Sequence, residues 1–269
     1  MGNLNASIRQ PAVANAFYSG NSSILRTQIQ EFLESVPLTK NAVPKAIIAP
    51  HAGYAYSGPI AGFAYKPLLP AKNQITRVVL LGPAHRVYVS GLAAPSADYF
   101  ATPLGDIPID QQSIQEIIQQ FAYVQTMDAA HAAEHSLEVH LPFLQEILTE
   151  FSLIPLVVGD AASLQVGAVL EALWGNKETL IVISSDLSHF HDYETANRLD
   201  LQTAKAIEQF DGDLLDHDSA CGRNPIKGLL STASKHQLKV QRADLRNSGD
   251  TAGSKDRVVG YGSWLFFED

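Results

Sequence analysis

Short runs of apolar, β-branched residues alternate along the chain with longer stretches whose apolar residues recur at helical spacing. Residues 45–50 (KAIIAP), 77–82 (RVVLLG), 152–158 (SLIPLVV) and 179–184 (TLIVIS) read as strands covered on both faces. Residues 258–267 (VVGYGSWLFF) read as a last strand. Between them, residues 22–36 open on a Ser-Ser cap signal and put Ile24, Leu25, Ile29, Phe32 and Leu33 on one helical face. Further helices are predicted over 112–121, 136–148, 163–174, 193–210 and 225–234, the last with Asn224 as N-cap and Pro225 at the first helical position. This alternation predicts one α/β domain over residues 1–269, with a core from about residue 9 to 268. Its sheet is mostly parallel or mixed, with helices on both faces. Residues 91–110 and 238–245 are candidates for added antiparallel strands.

Composition narrows the functional classes. A net charge of −9 repels phosphate backbones and anionic lipid, which argues against nucleic acid and membrane surfaces as partners. No apolar run approaches the ~18 residues of a membrane span. The start, MGNLNASIRQPAV, lacks the apolar stretch of a secretion signal, and Ala6 breaks the myristoylation pattern, so a cytoplasmic protein is expected. Cys221 is the sole cysteine, which rules out an intrachain disulfide or a cysteine-rich zinc site. It is either a buried structural thiol or a nucleophile.

The chemistry concentrates in histidines. His51 directly follows KAIIAP, His85 follows RVVLLG in GPAH, and His189 follows TLIVIS in SDLSH. Ligands of open α/β sheets bind beyond the carboxyl ends of the strands, so three strands would deliver three imidazoles to one edge. Such a set suits iron, copper, zinc or nickel, with Asp186, Asp250 and Asp256 as available carboxylates. The alternative is that each imidazole caps its own loop. In HAGYAYSG, Tyr56 and Ser57 lie between Gly53 and Gly58. A helix entered at Pro59 would offer its first amides to an anionic oxygen, unless this is an ordinary strand-to-helix turn. A second cluster, AEHSLEVHLP with His131 just before it, holds Glu134, His135, Glu138 and His140. It is not the HExxH pattern, but His135 and Glu138 are spaced to share a helix face, lining the pocket or entering a solvated helix. The polar segment 246–260 either closes over the cleft or forms a surface hairpin. There is no GxSxG elbow, Walker A motif or GxGxxG.

PHAGYAYSG, LLGPAH, EHSLEVHLPFLQ, SSDLSHF, CGRNPI and NSGDTAG followed by VVGYG occur in that order, and together they closely resemble the Memo family, from about Arg9 onward. Its bacterial and archaeal members are called AmmeMemoRadiSam system protein B. The resemblance implies the fold of class III extradiol dioxygenases, which hold non-haem Fe(II) on two histidines and a carboxylate. It implies His51 and His85 as metal ligands and His189 as the acid/base histidine, with Asp186 beside it. It places Thr251 where eukaryotic relatives carry a metal-site cysteine. It also implies radical-SAM and AMMECR-type protein partners.

The expected function is therefore a metal-binding cleft, with Fe(II) first and copper or zinc next, acting on a small oxygen-bearing substrate. His51, His85 and His189 would hold the metal, and His189 and Asp186 would serve catalysis. Tyr56, Ser57, His135, His140 and Thr251 would line the substrate site. The rival expectation is a non-enzymatic adaptor that takes a peptide or partner protein in the same cleft.

Overall fold

Burial from both sides makes strands of the apolar runs. In the computed structural model, which describes residues 6–37 and 42–268, Val78 through Leu81 and Leu180 through Ile183 are wholly buried. β-branched and leucine side chains pack there on both pleated surfaces. The first five residues of the expected leader and acylation readings lie outside the described residues.

The strands, in chain order, are β1 (Ile8–Arg9), β2 (Ala46–Ala49), β3 (Arg77–Pro83), β4 (Leu92–Ala94), β5 (Tyr99–Thr102) and β6 (Gly105–Pro108). They continue with β7 (Val124–Thr126), β8 (Ser152–Val158), β9 (Thr179–Ser184), β10 (His189–His191), β11 (Lys239–Asn247) and β12 (Val258–Phe267). The main sheet runs β10-β12-β2-β9-β3-β8-β4-β7, and β11 also pairs with β12. Its centre, β2-β9-β3-β8, is parallel. Antiparallel β12 flanks it on one side and antiparallel β4 on the other. A separate small sheet orders β1-β5-β6. The result is a single α/β domain on a mixed sheet flanked by helices, as the alternation of elements predicts.

The helices are α1 (Ser22–Ser35), α2 (Tyr54–Tyr65), α3 (Gln111–Gln120), α4 (Asp128–Ala132), α5 (Leu141–Ile147), α6 (Ser163–Ala172), α7 (Tyr193–Glu208) and α8 (Arg223–Lys235). Helix α8 packs on α6, β3 and β9, α2 packs on α1, β2, β11 and β12, and α7 packs on β11 and β12. Among the described residues no helix is long and apolar enough to cross a membrane.

Four boundaries differ from the sequence expectation. The cap of α1 is Asn21, whose side chain accepts from Ser23 N and Ile24 N, not the serine pair. Helix α2 starts at Tyr54 and carries Pro59 inside, so no free helix-start amides lie at Pro59. Close packing on α1 accompanies this early start: a Cβ at Gly58 would meet the Phe32 ring at 2.3 Å. The predicted 136–148 helix splits into a turn, a 3-10 turn at Glu138–His140 and α5. Pro142 lacks an N–H and suits the first turn of a new helix. Helix α8 begins at Arg223 behind Gly222, and the Asn224 side chain instead donates to Gly159 O at 2.9 Å. Residues 248–257 form the turn joining antiparallel β11 and β12, the hairpin of the two alternatives.

Candidate metal centre

Because β2, β9 and β3 are adjacent and parallel, the residues that follow them emerge side by side. His51 and His85 each lie two residues beyond their strands, and their ring centroids are 5.1 Å apart. The third imidazole of the group is His135, from the turn before α5, at 5.4 Å from His51 and 4.6 Å from His85. One ligand atom from each of His51, His85 and His135 lies within 4.8 Å of the other two. His189 stands outside that set, on β10. There the backbone bulges between His189 and His191, and Phe190, 62% exposed, takes φ 63 in the left-handed region.

Hydrogen bonds fix which nitrogen faces the group. Ser184 Oγ donates to Ser136 O, so toward His51 it can only accept, and His51 Nδ1–H donates to it at 2.6 Å. Nε2 of His51 is then the acceptor nitrogen, and its 3.4 Å neighbour is Cys221 Sγ. His85 Nδ1–H donates to Glu134 Oε1 at 2.9 Å, which likewise leaves its Nε2 as the acceptor nitrogen. The same carboxylate oxygen is 3.3 Å from His135 Nδ1 and accepts from His135 N and Ser136 N. The turn at 134–136 thus addresses all three imidazoles.

Burial keeps His51 and His135 neutral. It lowers His51 well below the ordinary histidine value, reinforced by His85 and His135, and burial and His85 bring His135 to about 4. Burial pushes the Glu134 carboxyl up, but its hydrogen bonds from His85 and from backbone amides outweigh this and hold it at about 2. Burial raises Asp186 to about 7. Asp186 Oδ1 accepts from His51 N at 2.8 Å, and its other oxygen is 3.9 Å from His51 Nε2. His189 is lowered by burial, and its Nδ1–H donates to Leu187 O at 2.7 Å, leaving Nε2 as a base.

The other expected residues separate. Tyr56 is 42% exposed and available to a ligand. Ser57 is buried and donates to Ala52 O. His140 is buried, with Nδ1 2.8 Å from Tyr65 OH, so both side chains face protein and not substrate. Glu138 does not share a face with His135; it turns toward the N-terminal segment. Thr251 donates to Ser248 O inside the hairpin. Asp250 accepts from Tyr193 OH and Asn247 N, and both its oxygens are spoken for.

The thiol that approaches the centre belongs to Cys221, whose Sγ lies 3.4 Å from His51 Nε2. Burial, then the Asp186 charge, pushes this thiol up to about 12. The acceptor Nε2 atoms of His51 and His85, the His135 imidazole and a soft sulfur beside His51 form a donor set that fits a transition-metal ion. His135 was legible as a polar residue of AEHS, and Glu134 beside it was the signal for its support; nothing local marks Cys221 as a neighbour of His51.

The Memo-like protein family model matches residues 9–265. A MEMO1 family protein of Methanobrevibacter smithii is 33% identical, covering 96% of this chain and 99% of the relative. One of Metallosphaera sedula is 32% identical, covering 94% and 97%, and one of Thermotoga neapolitana is 32% identical, covering 94% and 98%. With the match running nearly end to end and through every loop that builds the centre, this chain belongs to the Memo family.

Proposed function

We propose that the chain holds a divalent transition-metal ion on His51, His85 and His135, with iron(II) the first candidate and zinc or copper next, and acts as an oxidoreductase on a small oxygen-bearing substrate. The observation that carries this reading is the convergence of three imidazole ligand atoms within 4.8 Å, two of them with Nδ1 hydrogen bonds that leave Nε2 as the acceptor nitrogen. A bound ion would supply Lewis acidity and, if iron or copper, a one-electron couple. The chain's own residues do the rest. Asp186, raised by burial to about 7, exchanges a proton near neutrality beside His51. His189, near enough to His51 and His85 for their charges to interact and with Nδ1 bonded to Leu187 O, serves as the second base through Nε2. Tyr56 and Phe190 present exposed rings to whatever enters.

Anaerobic Fe(II) or Co(II) titration tests the reading. Wild type should bind one ion, and His51→Ala should weaken binding by at least ~100-fold, more than the 10–100-fold that loss of a supporting group costs. Equal, weak binding by both would sink the metal role. Ligation by Cys221 carries its own signature. A thiol held at about 12 must release a proton to bind metal, so affinity should rise about tenfold per pH unit between roughly pH 7.5 and 9.5. The buried imidazoles, already neutral, add no slope there. In Cys221→Ser the line should be flat, and equal slopes in the two proteins would remove the thiol from the metal.

A further inference from the structure

The segment from Arg9 to Tyr18 lies far in sequence from every residue of the centre, yet it touches the centre's supports from two directions. The Arg9 side chain is 7% exposed, and its guanidinium bonds two backbone carbonyls and pairs with one carboxylate within residues 131–138. Nε donates to His131 O at 2.7 Å and Nη2 to Glu134 O at 2.8 Å, while Nη1 pairs with Glu138 Oε2 at 2.8 Å. The Phe100 ring lies 5.0 Å beneath it. Glu138, wholly buried, turns this contact back on the segment itself. Its carboxylate accepts from Ala12 N, Val13 N and Tyr18 OH at 2.6–2.9 Å. Phe17 is thereby set with its ring 4.9 Å from that of His135, and its carbonyl accepts from Tyr54 N at 2.8 Å, three residues beyond His51.

We propose that Arg9 is a positioning residue of the metal centre, acting through the backbone of the turn that carries Glu134 and through Phe17 packed on His135. The proposal rests on the metal reading above. Glu134 orients His85 through its carboxylate only if its own backbone is fixed, and Arg9 fixes that backbone at both ends, at residues 131 and 134. A planar fork is what this requires. Lysine, with a point charge, cannot reproduce two directed carbonyl bonds and the ion pair together. The Phe17 ring packs on His135 and limits how far that imidazole can turn.

Co(II) titration of the full chain, read by visible absorption, tests this. Arg9→Met, checked for folding by circular dichroism, should bind Co(II) ~10–100-fold more weakly, with shifted ligand-field bands. Arg9→Lys should remain weakened, because charge alone does not restore the fork. Should Arg9→Met fail to fold, Phe17→Leu keeps an apolar side chain in place, removes the ring, and should weaken binding several-fold. A merely stabilising Arg9 would lower the melting temperature and leave affinity and spectrum at wild-type values, and that outcome in the folded variants overturns the proposal alone. A wild-type protein that takes up no Co(II) overturns the metal reading and this proposal together.

Discussion

Replacing Glu134 with alanine is expected to cost about 3–5 kcal/mol of stability, a loss reserved for buried, multiply bonded groups. Its side chain is 1% exposed and accepts from His85 N, His85 Nδ1, His135 N and Ser136 N. Truncation leaves three backbone donors without a partner in a dry turn, and each unsatisfied group costs roughly 1–3 kcal/mol. His85 also loses the acceptor that fixes its tautomer, so metal affinity should fall by ~10–100-fold in the same variant. Glutamine keeps one acceptor oxygen but turns an amide NH2 toward the donors, so Glu134→Gln should recover only part of either loss. Urea unfolding and a Co(II) titration read the two effects separately. A stability loss below about 1 kcal/mol for Glu134→Ala would contradict the role assigned to this carboxylate. The pH dependence has a definite sign. A carboxyl held at about 2, below its ordinary value of 4.5, contributes stability that is present above pH 4.5 and lost as pH falls toward 2. Glu134→Ala should lack that share of the acid transition.

The second large effect belongs to Glu138→Ala, also expected to cost about 3–5 kcal/mol, because it strands the buried guanidinium of Arg9 without its counter-charge. The amides of Ala12 and Val13 and the hydroxyl of Tyr18 lose their acceptor at the same time. The double variant Glu138→Ala with Arg9→Met removes the stranded charge, so its loss should be smaller than the sum of the two single losses. Additivity in that cycle would mean that the pair does not act as a unit.

The parallel strands were readable because the information is local. Four to seven apolar residues covered on both faces are spelled in consecutive letters, and β3, β8 and β9 fall where those letters predict. His51 and His85 were readable for the same reason, as residues just past strand ends. AEHSLEVH reads as a helix entry, which makes His135 a substrate contact and not a ligand, while Glu134, buried with four donors around it, holds the segment as a turn. Cys221 stands 170 positions from His51, and their meeting depends on how α8 docks on β9. A Cβ at Gly222 would lie 2.5 Å from Ser184 O, so that docking needs a glycine next to the cysteine. Long-range approaches of this kind leave no periodic trace in a sequence. The hairpin position of Thr251 and the two used oxygens of Asp250 are likewise products of tertiary pairing.

The place of β12 has a bearing on how the molecule is made. It follows every other described strand in chain order, yet it sits inside the sheet, paired with β2, β10 and β11. A ribosome must therefore deliver residues 258–267 before the edge of β2 beside His51 can be zipped shut. Until then a nascent chain presents an open, wholly apolar strand to its neighbours, the kind of edge that recruits other chains. A chain interrupted before residue 258 would thus keep that seam unsealed.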